Sequence, residues 1–298
     1  MNRLKKIFNF IYNHPLAGKH KIRASFLFFS WQLSQLFYPH EVLVPFVGTT
    51  KLVAKKGLTG ATGNIYTGLE EFSDMGFLLH FLRKDDLFAD IGANIGSYSV
   101  LASGCVGART ICFEPVPSTF YWLTKNINVN SLHQSVVARN IGLGSVKTEL
   151  YFTSSHGTVN HVLSQNEIEY QNDTVKVQVF PFDEIALQEG IPQLIKIDVE
   201  GFETEVIRGM KNTLQSNELK AIIIELNGSG GRYGYDESLI HQELSDLNFF
   251  PHEYNPFTRN LERIESYSST NTIYIKDYDF VKDRIVSAEK VLVFSEKF

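Results

Sequence analysis

The run Leu87-Phe88-Ala89-Asp90-Ile91-Gly92-Ala93-Asn94-Ile95-Gly96-Ser97-Tyr98-Ser99 begins as an apolar strand, turns on two glycines and ends as a helix start. Gly92 and Gly96 let the backbone turn tightly and approach a ligand, because no Cβ intervenes. The helix opening near Gly96 brings free backbone N–H groups to the same place. Working outward, apolar runs alternate with helix-forming ones. Helices are expected over 71–83, 118–128, 182–188, 202–214 and 237–247, and strands over 87–91, 110–114, 135–141, 194–199 and 221–226. This alternation predicts an α/β fold built on a doubly wound, mostly parallel sheet. The runs 249–254 and 272–275, either side of the turn-rich 255–270, are expected to add an antiparallel edge hairpin. The rhythm breaks near 145–180, where 148–152 and 174–180 alternate with period 2 around a polar loop. Residues 1–55 read as an extension, helical to about 40 and then a short hairpin. Residues 56–298 read as one domain carrying the polar insertion.

Sheets of this kind bind ligands beyond the carboxyl ends of their strands, at the switch in strand order. Here the glycines are spaced DxGxxxG rather than GxGxxG, and Asp90 stands where a pyrophosphate would be repelled. That polarity suits a cation. A sulfonium nucleoside with an α-ammonium group, S-adenosylmethionine, matches it better than a nicotinamide dinucleotide does. Glu114 ends the next strand, where a carboxylate can accept both ribose hydroxyls. Glu70 and Glu71 precede the first strand by one helix. Glu71 would border the amino-acid end of such a ligand, or the pair would simply complement the helix dipole.

The strand ending Lys196-Ile197-Asp198-Val199-Glu200-Gly201 carries the candidate chemistry. Alternation puts Lys196, Asp198 and Glu200 on one side. Charges inside a central strand are costly unless paired or functional. Lys196 is the internal counter-charge, and Asp198 is the first choice as base or acceptor binder. A purely structural Lys196 network is the alternative. Glu200 is a further acceptor-binding candidate. Glu225 and Asn227, ending the next strand, share one face. With Asp198 they form an all-oxygen set that could take one Mg²⁺, as a second possibility beside no metal. In the insertion, His161 is a candidate second base and Asn160 an acceptor binder, with His156 a weaker choice. The glycine-rich 228–235 is a candidate lid or acceptor wall.

With these segments in hand, the sequence resembles the FkbM family of S-adenosylmethionine-dependent methyltransferases. The likeness covers about 60–230 and rests on NIYTGLEEF, FADIGANIGSYS, FEPVPSTFYWLTKNINVN, LIKIDVEGFETEVIRGM and IIIELN. It implies a Rossmann-like class I methyltransferase fold and, for most members, O-methylation of a hydroxyl. It implies that Asp90, Gly92, Asn94, Gly96 and Glu114 line the cofactor pocket, and that Asn140 and Gly142 lie near the adenine. Together with the polar insertion, it points to a sugar, glycan or glycolipid acceptor. A secondary-metabolite or lipid hydroxyl, and a catalytically silent cofactor-binding protein, are the alternatives.

Composition narrows the partners. A net charge of -5 gives no global basic field for nucleic acid. Cys105 and Cys112 are too few for a disulfide framework and read as buried thiols of a reducing compartment. The first residues lack the apolar core of a signal peptide, and 24–37 is too short and polar to span a bilayer. The expected location is therefore cytoplasmic. The amino terminus is nonetheless lopsided: Arg3, Lys5, Lys6, Lys19, Lys21 and Arg23 precede the first acid, Glu41. Interleaved with Phe8, Phe10, Ile11 and Tyr12, they suggest a basic amphipathic helix at the inner face of a membrane. A solvated terminus packed on the domain is the alternative. Sequence alone does not define the oligomeric state.

Overall fold

The computed structural model describes residues 2–154, 160–164, 167 and 173–298. The chain opens with α1 (Asn2–Asn13), a 3₁₀ turn and α2 (Lys21–Phe37), followed by the hairpin β1 (Val42–Pro45) and β2 (Lys51–Ala54). Two helices come next, α3 (Thr59–Thr67) and α4 (Phe72–Phe81). The alternation then runs β3 (Leu87–Ile91), α5 (Ser97–Val100, extended as a π turn through Val106), β4 (Arg109–Phe113), α6 (Pro117–Val129) and β5 (Val136–Arg139). The insertion supplies β6 (Gly142–Leu143), β7 (Thr148–Thr153) and β8 (Thr174–Phe180), a small separate sheet with β8 in the middle.

After α7 (Phe182–Glu189) come β9 (Leu194–Ile197), α8 (Glu203–Arg208), α9 (Lys211–Gln215), β10 (Ala221–Glu225) and α10 (Glu237–Asp246). The chain closes with β11 (Phe250–Asn255), β12 (Asn260–Arg263), β13 (Asn271–Ile275), α11 (Tyr278–Ser287) and the short pair β14 (Leu292–Val293) and β15 (Glu296–Lys297).

The main sheet has the order β12-β11-β13-β10-β9-β3-β4-β5. From β10 to β5 all pairings are parallel, and β13, β11 and β12 form the antiparallel edge. This is the doubly wound α/β arrangement of a Rossmann-like methyltransferase. The edge holds one strand more than the expected hairpin, because β12 forms inside the turn-rich segment and pairs with β11. Chain order reverses between β3 and β9, so their carboxyl ends flank the switch point.

The central strands are mostly apolar because both faces are covered. Phe88, Leu194 and Ile223 pack with α4 and α11 on one face, and Ala89, Ile195 and Ile222 pack with α7, α8 and α10 on the other. Two expectations change, one for a helix and one for a strand. The run 202–214 is two helices, broken at Gly209, where a Cβ would come within 2.0 Å of the Gly144 carbonyl oxygen. The strand expected over 194–199 stops at Ile197. Cys112 is buried and Cys105 half-buried, and both are free thiols.

Candidate active site

A cavity of about 250 Å³ lies at the switch point, above the carboxyl ends of β3, β4 and β9. The turn after β3 is held from two sides. The N–H groups of Gly92 and Ala93 donate to the Phe113 carbonyl, and that of Asn94 donates to Glu114 Oε2 at 3.0 Å. Glu114 Oε1 accepts from Val116 N–H at 2.9 Å, so one buried carboxylate clasps both turns. Burial pushes the Glu114 carboxyl up to about 7, although the Val116 and Asn94 N–H groups favour its charged form.

Asp90 is buried beneath the turn and accepts from Ser99 Oγ at 2.6 Å. Burial raises its carboxyl, with Lys196 and Ser99 opposing. Gly92 has φ +78, and a Cβ on it would lie 1.8 Å from the Asp198 carbonyl oxygen. Its glycine is therefore demanded by β9's exit as well as by any ligand.

On the acceptor side, Lys196 Nζ donates to Asp198 Oδ2 at 2.7 Å and sits 4.8 Å from the centre of the Tyr98 ring. Burial opposes the charge on Lys196, but Asp198, Glu71 and Asp90 outweigh it and hold the ammonium protonated. Glu225 lies against Asp198. Burial, then the Asp198 and Glu200 charges, push its carboxyl up to about 8. Glu71 and Asp74, at the start of α4, extend the network through Asn271 Nδ2, which donates to Glu71 Oε1 at 2.6 Å and to Asp74 Oδ2 at 3.2 Å. One buried cation thus stands among several carboxyl groups, some of which burial keeps protonated.

The structure gathers Glu71, Asp90, Gly92, Asn94, Glu114, Gly142, Asn160, Asp198 and Glu200 around this cavity. Four expectations change. Gly96 is off the cavity wall: it turns the chain at φ +86 in contact with Leu123. Asn140 is also off the wall, and its Nδ2 ties the end of β5 to the Glu114 and Pro115 carbonyls. His161 is buried on the other side of its segment, with Nε2 3.3 Å from Glu167 Oε1, while its neighbours Asn160 and Val162 face the cavity. His156 lies outside the described residues. Asn227 is exposed, and its Oδ1 accepts from Ser229 N–H at 2.9 Å, so it does not converge with Asp198 and Glu225. Among the described residues no group of three or more His, Cys, Asp or Glu is placed to hold a metal ion. The Mg²⁺ reading has no support.

Glu200 reaches the cavity by a different route from strand alternation. It has φ +55 and Gly201 has φ +103, so the chain turns away immediately after β9. Glu203 fixes that turn, its Oε1 accepting from Val199 N–H at 3.0 Å and Gly201 N–H at 3.2 Å. Glu203 was not singled out from sequence, and an acid just past a glycine at a helix start is the signal that could have found it. Tyr98, Ser97 and Asn64 were also missed. The 228–235 loop is not on the cavity wall but braces segments that are: Arg232 donates to the Glu200 carbonyl at 3.2 Å, and the Tyr233 hydroxyl to the Val162 carbonyl at 2.6 Å.

A doubly wound sheet with this glycine turn, a strand-end glutamate and a charged pair at the switch point defines a methyltransferase-type site. The Methyltransferase FkbM domain family matches residues 90–251, and the chain belongs to that family. Among curated relatives, the hexuronic acid methyltransferase AglP of Haloferax volcanii is 31% identical over 173 residues, which cover 57% of this chain and 65% of that protein. The chain thus spans just under two thirds of that relative. Methyltransferase 1 of Beauveria bassiana is 25% identical over 182 residues, covering 53% of this chain and 72% of that protein. Among solved structures, the methyltransferase FkbM of Methylobacillus flagellatus KT aligns with a TM-score of 0.45 at 14% identity, covering 75% of this chain and 56% of that one. The fold assignment rests on the sheet order itself.

Proposed function

We propose that the chain is an S-adenosylmethionine-dependent O-methyltransferase acting on a hydroxyl of a sugar, glycan or glycolipid, with residues 56–298 as its catalytic unit and 1–55 as an extension. The observation that carries this reading is the single cavity wall on which Glu114 stands at one end and the Lys196–Asp198 pair at the other. The donor set fits the cofactor: Glu114 offers carboxylate oxygens to a ribose, apolar Phe113, Ile141 and Leu143 line the adenine side, and Glu71 stands ready for an ammonium group. Bound there, S-adenosylmethionine supplies a methyl carbon activated by its sulfonium, and the acceptor oxygen must lose a proton as it takes that carbon.

The residues of the chain align the acceptor and receive the proton. Asp198 is 28% exposed at its side chain, open to the cavity, and takes the proton from the acceptor hydroxyl. Lys196 holds the Asp198 carboxylate in place. Glu225, protonated, lies on its other flank. Asn160 and Glu200 offer hydrogen bonds to neighbouring hydroxyls of a polyol. The name of the Haloferax relative supports a sugar acceptor. Incubation with labelled S-adenosylmethionine and a panel of sugars, lipid-linked glycans and simple phenols tests the reading. Label on a glycan hydroxyl is expected; label confined to phenols or amines would overturn it. A catalytically silent binder would take up the cofactor and label nothing.

A further inference from the structure

The helix α2 is apolar on two opposite faces. Ala24, Phe28 and Trp31 are buried on one, packed with Ala61 and Tyr66 of α3. Ile22, Phe26, Phe29, Leu33, Leu36 and Phe37 lie on the other, each between 57% and 89% exposed. At 3.6 residues per turn these six fall within about 100° of one another, a continuous stripe about 25 Å long. Lys21 and Arg23 flank it, one on each side. Phe8 and Ile11, which the sequence suggested for a membrane-facing stripe on α1, instead pack inward against α2 and its neighbours.

An exposed stripe of this size needs a cover, and the charge around it says which. Residues 1–40 carry six Lys and Arg and no acid, leaving -11 on the remaining chain. Lys21 and Arg23 on α2 and Lys5 and Lys6 on α1 are exposed. The nearest acids are engaged: Glu296 with Lys19 at 3.5 Å and His20 at 3.0 Å, and Glu41 with Lys125. Packing two copies through this face would bring together two segments that are basic and lack acids. A negatively charged lipid surface supplies both the apolar depth and the counter-charge.

We infer that the outer face of α2 docks on an anionic phospholipid bilayer, with Ile22, Phe26, Phe29, Leu33, Leu36 and Phe37 entering the interface and the flanking lysines meeting the headgroups. No helix among the described residues is long and apolar enough to cross a membrane, so the contact is peripheral. The docked helix packs on α3, which contributes Gly60 and Asn64 to the wall of the switch-point cavity.

Flotation of the full chain with vesicles of phosphatidylcholine alone, or with about one third phosphatidylglycerol, tests this without cofactor or acceptor, so it stands apart from the proposed activity. Binding to the anionic vesicles is expected, weakened as salt is raised. The Phe26→Ser/Leu33→Ser/Leu36→Ser variant alters only exposed positions and should bind at least roughly tenfold more weakly. Lys5→Glu/Lys6→Glu/Lys21→Glu should lose the preference for phosphatidylglycerol. Wild-type protein that stays with the unbound fraction would overturn the inference, as would undiminished binding by both variants. So would light scattering showing a dimer that the serine variant converts to monomer, which would make a second copy the cover.

Discussion

Asp198 lies between an ammonium and a protonated carboxyl, and that position sets its chemistry. Lys196 at 2.7 Å keeps it oriented, and Glu225, its own carboxyl pushed up to about 8, lies against it. Asp198→Asn preserves the shape and removes the proton acceptor. Turnover in single-turnover methyl transfer should fall roughly 10²- to 10⁴-fold, with cofactor affinity nearly unchanged; full turnover would remove Asp198 from the mechanism. Glu114 acts on affinity. Its carboxyl, raised to about 7 by burial, accepts best when ionised. Cofactor affinity should therefore decline as pH falls through about 7, and Glu114→Gln should flatten that dependence in titrations between pH 5.5 and 8. A dependence of the opposite sign would mean that Glu114 works as a donor.

At the scale of the element, the site depends on two turns pressed against each other. Gly92 was legible from sequence as a position that permits close approach, but the atom that approaches it, the Asp198 carbonyl oxygen, comes from the exit of a strand far along the chain. Local periodicity carries no record of such a contact. Gly92→Ala should lower stability by about 2–4 kcal/mol, from strain at positive φ and a backbone clash. Thermal unfolding would show it, and an unchanged midpoint would contradict the packing. The end of β9 was misjudged for a related reason. Val199 has the composition of a strand residue, yet the Glu203 carboxylate gathers the Val199 and Gly201 N–H groups into a turn. His161 was misplaced because one residue of register decides which side of a segment faces the cavity.

Across the whole molecule, alternation of apolar runs was enough to reveal the parallel sheet and its switch point, because each strand is buried on both faces. The exposed stripe of α2 was harder to see, since a helix apolar on two sides shows little amphipathic contrast. The collected carboxyls have a global consequence. Glu70 and Glu225 are raised to about 8, and Asp74 and Glu203 to about 7, burial being the leading cause in each. Between their unfolded values near 4 and these folded ones, the folded chain binds more protons than the unfolded. Stability of the ligand-free protein is thus favoured at low pH within that window and declines as pH rises toward 8. Thermal unfolding at pH 5.5, 6.5 and 8 should show a falling midpoint, less steep in Glu225→Gln; a rising midpoint would contradict the burial of these groups. What the cavity holds decides the function. Isothermal titration with S-adenosylhomocysteine tests that directly. Saturable binding at one site is predicted, weakened roughly ten- to a hundredfold by Glu114→Ala, with no heat from NAD. Absence of binding, equal binding by the variant, or binding of NAD instead would contradict it.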